Sequence, residues 1–181
     1  MYSYKRKDSL SESMPGLPKL ILRVLISLIL AFAFSFFLKS FVIYPHRITD
    51  SSMFPSFKKK DLLFFSPIIR KHSINYGDVL AIRAPNQNSS FIGRVIGLPG
   101  DKLSMKRKKI YRNGKPLTEK GIFHSDEKRN FPPDLSNRDS FRDLSLKENE
   151  YFVLCDNRDE CMDSRDFGSI GPEAIQGKLI W

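Results

Sequence analysis

The chain has 181 residues, of which 41% are hydrophobic and 28% charged, and its formal net charge is +10 at pH 7. This length allows one domain of ordinary size and an anchor, and the composition excludes an intrinsically disordered protein. So large a positive charge predicts a polyanionic neighbour, either nucleic acid or an anionic membrane surface. Two cysteines are too few for a disulfide-built scaffold or a zinc site of common ligand spacing, and no metal or other cofactor is expected.

An apolar segment near the N-terminus predicts a membrane anchor. Residues 24–38 are fifteen consecutive uncharged positions, and extension to 20–43 gives 24 positions interrupted only by Arg23 and Lys39. A helix needs about 20 residues to cross a ~30 Å hydrocarbon core, and both basic side chains lie near its ends, where they can reach the headgroups. A cleaved secretory signal peptide is the alternative, but no small-residue cleavage site follows the run. We therefore predict an uncleaved anchor.

The charges that flank this segment predict its orientation. Five basic residues precede the uncharged run, against two acidic ones. Because basic flanks stay on the cytoplasmic side, residues 1–19 are predicted to form a cytoplasmic tail and residues 44–181 an extracytoplasmic domain. The prediction is a single-pass protein of the cytoplasmic (inner) membrane, with the lipid bilayer as its anionic partner. Nucleic acid is excluded as a partner by this topology.

Short apolar runs separated by turn residues dominate the part after the anchor. Six such runs are predicted as strands, at 61–65, 79–82, 91–96, 109–111, 151–154 and 178–181. Asn113-Gly114 between two of the segments predicts a tight hairpin. Residues 120–149 are charged and turn-rich, which predicts a surface excursion with a solvated face. The fold class is therefore mainly β and antiparallel, with an inserted subdomain or excursion at about 102–150.

Several short motifs follow the anchor in a fixed order. They are SMFP at 52–55, YGDVLAI at 76–82, RVIGLPGD at 94–101, IYRNGKPL at 110–117, DNR at 156–158, DSRDFG at 163–168 and IGP with IQGK at 170–178. In this order and spacing they resemble the conserved boxes of bacterial type I signal peptidases, over roughly residues 20–181. RVIGLPGD and the DNR–DSRDFG pair are the most specific of these motifs.

This resemblance implies a membrane-bound serine endopeptidase that removes signal peptides from exported precursor proteins. It also implies an antiparallel β domain with a small inserted β subdomain, and a Ser–Lys dyad. A serine hydroxyl is a weak nucleophile until a base accepts its proton, and a lysine does so when burial lowers its pKa. By position, Ser52 is the nucleophile, and Cys161, Asp163, Ser164 and Arg165 border the active site.

The sequence departs from the family pattern in three places, the last of which involves two residues. The lysine that precedes the arginine of RVIGLPGD is replaced by Gly93, and Arg94 cannot substitute because a guanidinium stays protonated. Asp50 lies two residues before Ser52, where the family has a small or hydroxyl residue that can help to hold an oxyanion. Its carboxylate would repel that charge, although the Ser52 backbone N–H could still contribute. In the last box, Cys155 replaces a glycine and Cys161 replaces the serine that orients the lysine.

Two functions follow from these departures. One is an active signal peptidase whose base lies elsewhere; the candidates are His46, His72, His124 and the lysines 58–60. The other is a catalytically inactive family member that binds extended or signal-peptide-like segments without cleaving them, for example by strand addition to a sheet edge.

The two cysteines leave three alternatives open. They can be buried free thiols, a disulfide closing a loop over residues 156–160, or a site in which Cys161 replaces the nucleophile. A disulfide requires Cα atoms within about 4.4–6.8 Å of one another.

Overall fold

The computed structural model describes residues 16–41, 43–67, 74–85 and 89–180. It divides the chain into two compact units, Met1–Ser40 and Phe41–Trp181. His72 and Trp181, which belong to predicted features, lie outside the described residues.

Helix α1 (Leu17–Phe41) accounts for the apolar segment. Within it, Pro18–Phe37 has a mean hydropathy of 2.5 in its most apolar window, none of which is buried. Pro18 is tolerated because the first turn of a helix leaves its N–H groups without intrahelical partners. A helix that is apolar all round and exposed fits a lipid environment, and its 25 residues span about 37 Å. It is the one helix among the described residues long and apolar enough to cross a membrane.

The larger sheet has six antiparallel strands in the order β1-β2-β10-β3-β4-β9. Alternating buried side chains such as Leu63 and Phe65 explain strands with one buried face, whereas 79–82 is buried on both faces. The strands are β1 (Tyr44–Arg47), β2 (Leu62–Ser66), β3 (Val79–Arg83), β4 (Ser90–Gly97), β9 (Phe152–Leu154) and β10 (Ile175–Leu179).

A smaller antiparallel sheet is inserted between β4 and β9, in the order β7-β6-β5-β8. Its strands are β5 (Lys102–Lys106), β6 (Lys109–Arg112), β7 (Lys115–Pro116) and β8 (Phe141–Ser145). Asn113 and Gly114 join β6 to β7 with φ of 52° and 77°, as the hairpin prediction requires. The mainly β fold with a small inserted β sheet is thus confirmed.

Three strands were not predicted: β1, β5 and β8. β8 lies inside the segment expected to be an excursion. It forms because Phe141 is buried opposite Met105 of β5, although the residues around it are charged. Two short helices complete the domain, α2 (Ser164–Phe167) and a 3-10 turn (Pro172–Ala174).

The six-stranded sheet carries a separate apolar cluster on each face. One cluster contains Met53, Ala81, Ile92, Cys155 and Cys161 among its members. The other contains Leu80, Ile82, Val95 and Val153. Ile92 and Gly93 are adjacent on β4 and therefore point to opposite faces. Gly93 is paired with Leu80 and shares its side of the sheet.

Candidate active site

Ser52 lies in a tight turn between β1 and β2. The Phe54 N–H donates to the Ser51 carbonyl at 3.1 Å, which closes the turn. Met53 is fully buried in the cluster beneath it, and Ile48 is buried nearby in the same connection. These two apolar residues fix the turn to the sheet, so that the half-buried Ser52 is held in a defined place.

Catalysis at Ser52 would require a backbone N–H free to bind an oxyanion and a base that accepts the hydroxyl proton. The Ser52 backbone N–H donates to Asp50 Oδ1 at 2.9 Å, so the donor expected to help an oxyanion is already bound to a carboxylate. Within the described part of the chain, the Ser52 hydroxyl has no hydrogen-bond partner that could accept its proton. The turn thus presents a serine without a base and without this backbone donor.

Gly93 occupies a closely packed position on β4. A Cβ atom there would lie 2.6 Å from Val153 Cγ1 and 3.3 Å from both the Leu154 carbonyl oxygen and a ring carbon of Phe91. The first distance is shorter than real contacts, and a β-branched neighbour yields little because its χ1 is stiff. The position predicted to correspond to the family's lysine is therefore closely surrounded by neighbouring atoms.

Cys155 and Cys161 form a disulfide, with their Cα atoms 6.1 Å apart. Cys155 is fully buried and Cys161 nearly so. Arg94 is paired with Leu154 in the antiparallel ladder of β4 and β9, so the residues that follow in this register, Gly93 and Cys155, lie opposite each other. Cys155 Sγ lies 3.5 Å from the Ile92 carbonyl oxygen, and both cysteines pack in the cluster that contains Met53. The disulfide therefore lies between the Gly93 strand and the base of the Ser52 turn.

The loop closed by this disulfide holds the Ser52 turn by three hydrogen bonds. The Asn157 N–H donates to the Ser52 carbonyl at 2.9 Å, and Asn157 Nδ2 donates to the Ser51 carbonyl at 3.2 Å. The Ser51 hydroxyl donates to Glu160 Oε2 at 2.7 Å. Sequence reasoning placed Asn157 in a family motif without assigning it this contact, and it missed Glu160.

Three of the four residues predicted to border the site, those after Cys161, fix the segment that follows the loop. Asp163 caps α2 and accepts from Arg165 Nε at 2.8 Å and from Nη2 at 2.7 Å. Arg165 also donates to the Arg158 carbonyl at 2.7 Å, and the Val153 N–H donates to the Ser164 hydroxyl at 3.0 Å. All three side chains are buried and bonded, so they act as supports of the loop and of β9.

Arg94 is held by a carboxylate rather than available to Ser52. Its guanidinium forms a bidentate pair with the buried Asp156, at 2.8 and 2.5 Å. The hydrogen bond that Arg94 donates to the Asp156 carboxylate raises the pKa of Arg94, and burial opposes this effect. Arg94 also donates to the Gly77 carbonyl at 2.9 Å and to the Ser56 hydroxyl at 3.2 Å.

Two of the described alternative bases, both histidines, are engaged elsewhere in the structure. His46 lies on β1 and packs edge-on against the Phe65 ring, with centroids 6.1 Å apart. His124 lies 3.7 Å from Asp159, and burial, assisted by the nearby Lys108, lowers its pKa. The lysines 58–60 are exposed. Among the described residues, none of these candidates hydrogen-bonds to Ser52.

One group of side chains has the ligand types of a metal site. Ligand atoms of Cys155, Cys161 and Asp163 lie within 4.8 Å of one another. The two sulfur atoms are joined in the disulfide, and the Asp163 carboxylate is bonded to Arg165 and to the Cys155 N–H. These groups are therefore committed to internal bonds, and the donor set does not fit a metal ion.

Comparison with known proteins gives one consistent family. The model of the signal peptidase family, peptidase S26, matches residues 21–181. Signal peptidase IB of Staphylococcus aureus (strain COL) is 31% identical over 170 residues, which cover 89% of this chain and 88% of that protein. Signal peptidase I P of Bacillus subtilis subsp. natto is 29% identical over 144 residues, covering 79% and 75%. A crystal structure of a signal peptidase I from Enterococcus faecalis V583 is 26% identical, with a TM-score of 0.46, and the match covers 58% of this chain and 95% of that one. The chain therefore belongs to the signal peptidase family of S26 peptidases.

Proposed function

We propose that this chain is a membrane-anchored member of the signal peptidase family that binds signal-peptide-like segments of exported proteins without efficient cleavage. The observation that carries the proposal is the packing at Gly93. The position of the family's lysine has no side chain, and a Cβ atom there would lie 2.6 Å from Val153 Cγ1. A Ser–Lys dyad cannot form through position 93, because glycine supplies no amine to accept the Ser52 proton.

The Ser52 turn supports the same proposal independently. Its N–H is bound to the Asp50 carboxylate at 2.9 Å, so a developing oxyanion would meet negative charge where it needs a donor. Loss of one good oxyanion donor costs about 3–4 kcal/mol of transition-state stabilisation, or roughly 10²–10³ in rate. Loss of the base and loss of the donor affect different parts of the reaction, and each alone is sufficient to make cleavage slow.

Binding of an extended segment requires neither group. Among the described strands, β1 pairs only with β2, so its other edge is open, and β1 leads into the Ser52 turn. An extended chain can add to such an edge through main-chain hydrogen bonds. The anchor would keep this edge near exported precursors, with the N-terminus inside and the β domain outside the membrane. The partners we propose are the bilayer and exported precursor proteins.

The test is binding of a labelled synthetic signal peptide to the full chain in nanodiscs. Wild type and Ser52→Ala should bind it with the same Kd within about threefold, because a missing hydroxyl removes little surface. Ser52→Trp should weaken binding at least about tenfold by filling the turn, whereas Ser145→Trp, an exposed position on β8, should not. Equal binding by both tryptophan variants, or no binding by wild type, would overturn the proposal.

A further inference from the structure

Two hairpins of the smaller sheet have similar left-handed turns made from different residues. The β6–β7 hairpin turns at Asn113 and Gly114 with φ of 52° and 77°. The β5–β6 hairpin turns at Arg107 and Lys108 with φ of 49° and 65°. Asn-Gly is the pair that such a two-residue turn favours, whereas long L side chains are strained in this conformation. The β5–β6 hairpin therefore carries a local cost that its neighbour avoids.

The strand residues beside this turn add a second unfavourable feature. Lys106 and Lys109 are directly opposite one another in the strand register, and both are exposed. Like charges at opposed positions destabilise an antiparallel pair. Within the described residues, neither lysine nor Arg107 has a carboxylate partner. The run at 106–109 thus concentrates positive charge where both backbone and pairing disfavour it.

One of the four basic residues has an internal explanation. The Lys108 ammonium group lies 3.9 Å from Asp139 and 3.8 Å from Asp159, and it donates to the Asp126 carbonyl. Its side chain is therefore part of an internal ion-pair cluster. Lys106, Arg107 and Lys109 belong to no such cluster among the described residues, so internal ion pairs do not explain their positive charge.

A groove beside the hairpin supplies that account. It has a volume of about 540 Å³, and its lining includes Lys106 and Arg107 at the end of β5, Ser140 and Arg142 at the start of β8, and the apolar residues Met105, Pro133 and Phe141. Asp143 is the carboxylate in the lining. Arg142 is paired with Asp134 at 3.0 Å, but both side chains are 82% exposed, so this pair is weak and can be exchanged for another anion. The groove thus offers two guanidinium groups, an ammonium group and a hydroxyl.

We propose that this basic groove, lined by Lys106, Arg107 and Arg142, binds a linear phosphate-bearing polyanion. Guanidinium groups pair with phosphate oxygens in two-pronged hydrogen bonds, and ammonium groups attract them as point charges. A chain of phosphates can enter a concave groove and contact several cations in turn, whereas the flat surface of a bilayer cannot. The bound polyanion neutralises Lys106, which relieves its repulsion of Lys109, and it pairs with the Arg107 side chain of the costly turn.

The test uses the full chain in zwitterionic nanodiscs and labelled inorganic polyphosphate as the probe. We expect binding that weakens steeply between 50 and 200 mM salt (an ordinary span for phosphate contacts). The variant Lys106→Ser/Arg107→Asn/Lys109→Thr should raise Kd at least about tenfold. The same variant should raise Tm by about 2–4 °C, because it removes the like-charge pair and places Asn in the left-handed turn. If these residues were only a solvated basic surface, the variant would not raise both Kd and Tm.

A matched variant removes the same charge from exposed lysines elsewhere, at Lys59, Lys120 and Lys128. It should leave Kd within about twofold and Tm unchanged. Equal weakening by this control would overturn the proposal, since net charge alone would then explain binding. If orthophosphate displaced the labelled polyphosphate as well as unlabelled polyphosphate does at the same phosphate concentration, the proposal of a linear ligand would be overturned. Binding of the groove to anionic nanodiscs instead of polyphosphate would show that the ligand is a bilayer and would also overturn it.

Discussion

Placing a lysine at position 93 is the perturbation that examines the proposed loss of the dyad most closely. Gly93→Lys alone should not create activity, because the new Cβ atom meets Val153 Cγ1 at 2.6 Å. Overpacking of this kind costs about 1–3 kcal/mol of folding stability. A lysine that turned away from Val153 toward the Ser52 turn would meet the Cys155–Cys161 disulfide, which packs with Met53 on that face of the sheet.

The combined variant removes each obstacle in turn. Val153→Ala deletes the clashing methyl groups, and Cys155→Gly with Cys161→Ser removes the disulfide and restores an orienting hydroxyl. Asp50→Ser releases the Ser52 N–H for an oxyanion. Together with Gly93→Lys these changes should raise cleavage of a precursor at least about 100-fold, since one oxyanion donor alone contributes roughly 10²–10³.

The assay is mass-spectrometric detection of the two cleavage products from a signal-peptide-bearing precursor, with the full chain in nanodiscs. Ser52→Ala in the combined background should abolish the gain. Gly93→Arg in the same background is the matched control, because it has a similar size and charge but its guanidinium cannot accept a proton. A folded combined variant that stays inert, or an arginine control that is equally active, would refute the reasoning.

Three further predictions concern the disulfide, pH and topology. Cys155 and Cys161 should resist alkylation until reduced, and reduction should lower the free energy of unfolding by about 2 kcal/mol in urea titrations; two freely alkylated thiols would contradict this. Burial and then Lys108 lower the pKa of His124 below its ordinary value, so protonation favours the unfolded chain. Its contribution to stability is full above about pH 6.5 and is lost as the pH falls through the lowered pKa; His124→Asn should flatten this slope in thermal unfolding, and an unchanged slope would contradict the prediction. Protease added to spheroplasts should degrade residues 44–181, and full protection would show that the orientation is reversed.

The sequence was sufficient for the features that depend on local chemistry. The apolar run predicts α1 because length and hydropathy decide whether a helix can cross a bilayer. Asn113-Gly114 predicts its hairpin because few other residue pairs accept that turn. β8 was missed because its charged residues conceal Phe141, whose burial depends on a partner strand distant in sequence.

The candidate site was only partly predictable. Motif order named Ser52, Gly93 and Cys161 as candidates, but it did not indicate how their neighbours are engaged. The bond from the Ser52 N–H to Asp50 requires the backbone of a particular turn, and the contacts of Asn157 with that turn join positions more than 100 residues apart. Such contacts arise from tertiary packing, and a single sequence carries no pattern that specifies them.

The measurement that tests the central claim most directly is turnover of a signal-peptide-bearing precursor by the wild-type full chain in nanodiscs, beside Ser52→Ala. Because Gly93 supplies no base and the Ser52 N–H is bound to Asp50, we predict no cleavage above the Ser52→Ala background while the precursor remains bound. Cleavage that depends on Ser52 and proceeds at the ~10 per second of an ordinary enzyme would contradict the account.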